Sequence, residues 1–420
     1  MKTLILLTNG FPYGTWEPYL ETEVNYYQTV FDRIYVCSLQ IRKEFKEIRS
    51  LPKGFEVIPI YYAPRYVYLL YSFFSFFDGN LYAEVKKLWR TKRLSIKRII
   101  ALFVFLSRSH YEAKYIQQYF KKNGVEKDSG NGVIYSYRFE YQPYVGILLK
   151  RKWFDYQVVA RAHRYDLYEE RRNTSYIPLR EYLLEILDKV ILIAQDGINY
   201  LGAKYPSCKN KLVLSRLGTV AYPEKKTDAP CGQVLYVVSC SNIVPVKRLH
   251  LIVEALSLIE DIQVKWIHYG YGVLYDEIIS LCKEKLPLHI QYEFKGHIDN
   301  QMLLEEYRQH PYHLFLNVSS SEGVPVSIME AMSFGIPCIA TNVGGTCEVV
   351  TDQYNGILID ENFNVETLAV YIKKFASMSD ETYQFYRLHA RQSWMDRYNA
   401  EKNYQSFMRL LEEICCKKPQ

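Results

Sequence analysis

The sequence predicts an α/β chain of two domains, each a mostly parallel sheet covered by helices. Short apolar, β-branched runs alternate with longer amphipathic stretches along most of the 420 residues. That alternation breaks once, at the polar, proline-bearing stretch AYPEKKTDAP (221–230), and then restarts. With 49% hydrophobic residues, the chain has material for two cores.

The elements follow in order. Strands are expected at 3–8, 33–37, 55–60, 132–136, 156–161, 190–194 and 211–215. A helix is expected at 17–30, with Glu17 and Glu21 near its start, where negative charge is favoured. Helical patterns fill 141–152, 181–189 and 196–203. These make a first domain, 1–220, followed by a linker at 221–230. A second domain, 231–390, repeats the plan with strands at 234–239, 263–268, 291–295, 314–317 and 336–340. Helices are expected between them at 247–259, 273–284 and 299–309. The tail, 391–420, reads as one long helix able to cap either domain or cross back to the first. Ligands of such folds bind where strand ends meet a domain interface, so a cleft between the two domains is expected.

Composition narrows the function. The net charge of +6, from 52 basic and 46 acidic residues, suits an anionic substrate or membrane face. Nucleic acid is not an expected partner, since there is neither an arginine-rich helix nor a cysteine finger. The nine cysteines show no zinc spacing and imply core thiols in a reducing cytoplasm. The start, MKTLILLTNGFPYG, reads as a first strand and turn rather than a secretory signal. No stretch reaches the roughly eighteen uncharged apolar residues of a spanning helix.

Residues 61–110 form an aromatic and basic insertion. YYAPRYVYLLYSFFSFF is followed by KKLWRTKRLSIKRIIALFVFL, in which seven Lys or Arg precede an apolar stretch. Such a segment either packs on its own domain or lies on an anionic membrane.

The most informative run is SSSEGVPVSIMEAMSFGIPCIATNVGG, from Ser319 to Gly345. Pro325 suits a first helical turn and Gly335 a left-handed C-cap. N–H groups at the helix start, around Gly323, Val324, Pro325 and Val326, suit a phosphate. The carboxylates of Glu322 and Glu330 suit hydroxyl donors of a sugar and a ribose. A ligand with both kinds of group is a sugar nucleotide. Lys247 follows a strand and opens a helix, where a cation is unfavourable unless it meets an anion.

This run, with YVVSCSNIVPVKRLHLIVEAL at 236–256, FKGHIDN at 294–300 and the pattern Trp394, Asn399, Asn403, resembles glycosyltransferase family 4. NGFPYGTWEPYLETEV and ARAHRYDLYEE in the first domain resemble members that build capsular, exopolysaccharide or lipid-linked surface glycans. The resemblance implies the GT-B architecture, two facing Rossmann-like domains. It also implies retaining transfer of a hexose-type sugar from a UDP- or GDP-sugar to a growing, lipid-linked glycan. Glu330 is similar to the glutamate that grips the ribose, and Glu322 to the one beside the donor sugar. Lys247 matches the lysine that neutralises the leaving diphosphate. His163 resembles the histidine of the first domain beside the reaction centre, and Gly14 a glycine of the loop near phosphates and acceptor. Where the family has an arginine five residues before the lysine, this chain has Asn242, which carries no charge. Arg248 is the nearest replacement. No metal or other cofactor is required on this reading, and the enzyme works at the inner face of the cell membrane. Two alternatives stand beside it: a noncatalytic sugar-nucleotide-binding subunit of a transferase complex, and a GT-B sugar phosphorylase.

Overall fold

The computed structural model describes residues 1–45, 48–125, 130–222 and 234–416. Most of the expected linker at 221–230 lies outside the described residues. The chain forms two units, one of Met1–Leu217 with Lys402–Gln420 and one of Gly218–Glu401.

The first unit carries β1 (Thr3–Thr8), β2 (Arg33–Ile41), β3 (Phe55–Tyr61), β4 (Gly132–Ser136), β5 (Gln157–Ala162), β6 (Lys189–Leu192) and β7 (Leu212–Leu214). They form one parallel sheet in the order β3-β2-β1-β4-β5-β6-β7. Both faces are covered, which is why the strands read as continuous apolar runs. The second unit carries β8 (Leu235–Cys240), β9 (Val264–Tyr269), β10 (Ile290–Gly296), β11 (Leu314–Asn317), β12 (Cys338–Thr341) and β13 (Gly356–Ile359). Its order is β10-β9-β8-β11-β12-β13, again all parallel. Each unit is Rossmann-like. Strand order reverses beside β1 in the first unit and beside β8 in the second. The crevice beyond the strand ends at such a reversal is where ligands bind.

Three local expectations change. The segment 17–30 holds only a short helix, Leu20–Glu23, and a 3-10 stretch, Val24–Thr29. Glu17 stands outside both, in left-handed backbone with φ of 56°. The strand expected at 336–340 forms two residues later, as β12. The tail is two helices, Asp380–Arg397 and Ala400–Cys415, rather than one.

The cause of that break is a bridge from Thr219. Its N–H donates to Tyr398 O at 2.8 Å and its carbonyl accepts from Ala400 N at 3.0 Å, which takes both groups out of a continuous helical ladder. Trp394 Nε1 donates to Thr219 Oγ1 at 2.7 Å and locks the crossing. Beyond it, the last helix packs on the first unit. Phe407 lies against Tyr135 with ring centroids 5.3 Å apart, and Lys2 Nζ meets Glu412 Oε1 at 2.6 Å.

Gly218 makes the crossing possible, because a Cβ there would stand 2.4 Å from Ala400 Cα. Gly218→Ala is therefore expected to cost about 1–3 kcal/mol, the usual penalty for overpacking a rigid contact. Urea unfolding of the two proteins checks this; an unchanged midpoint would mean that the crossing is not close-packed.

Candidate active site

In the second unit the candidate residues sit on the loops that leave β8 and β11, the two strands at the reversal of strand order. After β8 the chain passes Asn242 and makes a 3-10 turn, Pro245–Lys247. Lys247 ends this turn instead of opening a helix. Arg248 follows in left-handed backbone (φ 51°), and the helix Leu249–Ser257 starts after it. After β11 the chain runs through 318–325 into the helix Val326–Ser333, with Pro325 at its N-cap rather than inside its first turn. Gly335 ends that helix region with φ of 68°.

The two loops are fastened together. Ser320 N donates to Val246 O at 2.9 Å. Arg248 reaches across with Nε on Val318 O at 2.7 Å, Nη1 on Glu361 O at 2.8 Å and Nη2 on Ser319 O at 3.3 Å. Its guanidinium is thus committed to main-chain carbonyls and serves as a clasp. Asn242 itself is exposed on the loop.

This fastening brings Lys247 to Glu322. Lys247 Nζ lies 2.5 Å from Glu322 Oε1, and Asn317 Nδ2 donates to the same oxygen at 3.3 Å. Glu322 is held from behind by the turn after β12. Gly345 N donates to Gly323 O at 2.7 Å. A Cβ on Gly344 would stand 2.0 Å from Glu322 O, and one on Gly345 would stand 2.3 Å from Gly323 O. Gly344 has φ of 53° in addition. Both glycines are therefore demanded by the approach of one backbone to another.

Glu330 lies in the second turn of the helix Val326–Ser333 and is buried. Its Oε1 accepts from Asn300 Nδ2 at 2.6 Å. Burial pushes its carboxyl up to about 7, against the opposing effect of the Asn300 hydrogen bond. Cys240, at the end of β8, links the parts. Burial pushes its thiol up to about 12, with Glu330 raising it further and Lys247 lowering it. Lys247, Glu322, Glu330 and Cys240 thus share one neighbourhood. Asn300, Asn317 and Cys240 were not singled out by sequence reasoning, although Asn300 closes the run FKGHIDN and so was within reach of it.

The loop Gly270–Gly272 packs on the same region for a steric reason. A Cβ at Gly270 would stand 1.9 Å from Ser241 O, and one at Gly272 would stand 2.3 Å from Ile243 O. Beneath it, His268 Nδ1 shares a hydrogen bond with Ser239 Oγ at 2.8 Å, and burial pushes its pKa down to about 4.

His163 and Gly14 belong to the first unit. His163 follows β5, and its N–H donates to Asp166 Oδ1 at 2.5 Å. Its ring packs against Tyr137, with centroids 4.6 Å apart; Nδ1 lies 3.9 Å from Asp166 Oδ2, too far for a hydrogen bond, and both ring nitrogens are shielded from solvent without a hydrogen-bond partner among the described residues. Burial lowers its pKa, so the ring is neutral at pH 7. A buried neutral imidazole with both nitrogens unsatisfied is suited to a hydroxyl-bearing ligand. Asp166 is occupied by the main chain, accepting from Phe139 N at 2.9 Å as well as from His163 N. Gly14, with φ of 63°, leaves no space for a Cβ, which would stand 2.9 Å from the Phe45 ring.

The turn after β1 is also occupied. Glu17 accepts from Asn9 N at 3.0 Å, Gly10 N at 3.1 Å and Phe11 N at 3.2 Å, and Arg138 Nε lies 3.3 Å away. The N–H groups that bind phosphate in many folds of this kind are here satisfied by the chain's own carboxylate.

The state of Glu330 gives a signed pH dependence. Its carboxyl keeps a proton in the folded protein up to about pH 7, whereas the unfolded chain loses it near 4.5. Below about 4.5 this group does not oppose folding; from there to about 7 the opposition grows, and above 7 it is constant. Glu330→Gln is expected to be more stable than the parent by up to about 3 kcal/mol at pH 8, with the gap closing at pH 4. Thermal unfolding at both pH values measures it; an equal gap at pH 4 and pH 8 would refute the assignment.

Residues 225–392 match the family model described as glycosyl transferases group 1. Over 269 residues the chain is 23% identical to WcaL of Salmonella typhimurium, provisionally named a colanic acid biosynthesis glycosyltransferase, an alignment covering 61% of this chain and 64% of that one. The chain thus spans less than two thirds of that relative's length. Sucrose-phosphate synthase of Thermosynechococcus elongatus superimposes with a TM-score of 0.69 at 17% identity, over 99% of each chain. Anabaena Alr3699/HepE, solved with UDP and glucose, superimposes with a TM-score of 0.61 at 16% identity, over 98% of this chain and 100% of that one. The chain therefore has the GT-B fold, and its second unit is related to the group 1 glycosyl transferases.

Proposed function

We propose that the protein is a retaining glycosyltransferase of the family 4 type, moving a hexose-type sugar from a UDP- or GDP-sugar to a growing, lipid-linked surface glycan. The observation that carries this reading is the cluster of Lys247 and Glu322, on loops beyond the reversal of strand order, with Glu330, on the helix that follows the second loop. One cation and two acids of different burial match the three parts of a sugar nucleotide.

Glu330, buried and joined to Asn300, receives the ribose hydroxyls. A ribose hydroxyl donates to the carboxylate and so favours its ionised form, offsetting the burial that otherwise keeps the proton on. Lys247 and the N–H groups at the start of Val326–Ser333 receive the diphosphate. Glu322 receives hydroxyls of the donor sugar. Its bond to Lys247 holds both side chains in place, so little reorganisation is needed as charge builds on the leaving phosphate. In the transfer the bond from the anomeric carbon to the diphosphate oxygen breaks. A bond from the acceptor oxygen to that carbon forms on the same face. The acceptor proton passes to the departing phosphate, and no enzyme base is used.

The likeness to the colanic acid relative supports a surface-glycan acceptor, and the HepE complex makes UDP-glucose the first donor to try. The direct test incubates the purified protein with a panel of UDP- and GDP-sugars. Nucleoside diphosphate release, with thermal protection of the protein, identifies the donor. Absence of protection by every donor would end the proposal.

Lys247→Ala is expected to lower kcat by roughly 10²–10³, the usual loss when one preorganised charge is removed. A lysine that only neutralises Glu322 would be dispensable once that charge is gone. The double variant K247A/E322Q is therefore expected to stay as slow as K247A; recovery toward parental kcat would show that the lysine does not serve the diphosphate.

A further inference from the structure

We propose that the helices Arg65–Ser75, Gly79–Arg90 and Ile96–Lys122 form a membrane-docking face that seats the first unit on an anionic phospholipid bilayer. This goes beyond the transfer chemistry and does not depend on it.

The first observation is a helix that is apolar on both sides. In Arg65–Ser75, the inner positions Val67, Tyr68 and Tyr71 are partly buried, and Tyr68 and Tyr71 meet Tyr111 of the long helix with centroids 5.5 and 5.2 Å apart. The outward positions Tyr66, Leu69, Leu70 and Phe73 follow the helical repeat and are also apolar, and Phe77 continues the apolar surface in the turn beyond, with Leu69 75% and Phe77 76% exposed. A helix solvated on one side carries polar residues there.

The apolar surface continues onto the neighbours. Phe76 packs on Phe103 with centroids 5.3 Å apart. Beside Phe103 runs the exposed stripe Ile96, Ile100 and Val104, spaced four residues apart, with Ile96 80% exposed. On Gly79–Arg90, Tyr82 and Trp89, seven residues apart, are exposed while Leu81, Glu84 and Leu88 face inward. Large aromatics with a polar tip favour the zone between lipid headgroups and chains.

The second observation is the sorting of charge. All three acids between residues 61 and 122, Asp78, Glu84 and Glu112, are buried. Asp78 holds His110 at 2.9 Å, Glu84 accepts from Tyr176 Oη at 2.9 Å, and Glu112 accepts from Tyr141 Oη at 3.0 Å. Between residues 65 and 97 the exposed charges are all basic: Arg65, Lys86, Arg90, Lys92 and Lys97. None of these five has an ion-pair partner among the described residues. A wide apolar face on helices that carry exposed bases, in a segment whose own acids are all buried, complements an anionic lipid surface. No helix of the described residues is long and apolar enough to cross a membrane, so the seat is peripheral.

The test is flotation of the full chain with phosphatidylcholine vesicles containing or lacking phosphatidylglycerol, at low and high salt. Binding is expected to the anionic vesicles and to weaken with salt. L69S/F73S/F77S is expected to lose roughly tenfold or more of its partitioning while keeping its thermal midpoint. K86E/R90E/K92E/K97E is expected to lose at least about a hundredfold, since each surface base contributes roughly fivefold. Failure of the parent chain to float with anionic vesicles at low salt would overturn the proposal. So would a serine variant that floats like the parent, or light scattering showing the face closed by a second copy of the chain.

Discussion

Gly345 N–H donates to Gly323 O across a gap that admits no side chain at Gly344 or Gly345. This contact between main chains fixes where the Glu322 carboxylate stands, and other features of the second unit follow from it. The carboxylate can meet Lys247 at 2.5 Å only because its own loop is pinned from behind. Lys247 in turn is placed by a turn whose next residue, Arg248, bonds to carbonyls of the Glu322 loop. The acid and the base are thus positioned by main-chain contacts together with one arginine clasp.

The charges in this site are distributed unevenly, and the unevenness is informative. Glu322 is neutralised by a neighbour within the protein. Glu330 is buried beside an amide and keeps its proton up to about pH 7. A group left in so unfavourable a state lowers stability, and such a cost is common where a binding partner will later supply the missing donors. The first unit does the reverse at Glu17, whose buried carboxylate is fully provided with N–H donors and a guanidinium.

Much of the fold could be read from the sequence, because buried parallel strands are written as short apolar runs. β1, β4 and β11 lie at their expected residues, and the order of elements in both units follows. β13 went unread because Gly356–Ile359 is only four residues long and lies among turns. The break at Tyr398 was invisible for a different reason. It is caused by Thr219, far away in sequence, and no local pattern encodes it. The site divides in the same way. Glu322, Glu330 and the glycine pair are legible in one run. Arg248 as a clasp, and Asn300 as the partner of Glu330, become visible only when separate loops are brought together.

Glu17 also bears on the number of phosphate sites that the proposed function allows. Its negative charge sits where the first turn of a dinucleotide-binding fold would cradle pyrophosphate. An incoming phosphate would meet repulsion there and find the N–H donors taken. The two halves, alike in topology, are in this respect opposites. One turn carries a built-in anion and the other presents a lysine, so the proposed function calls for a single nucleotide per chain however much is supplied.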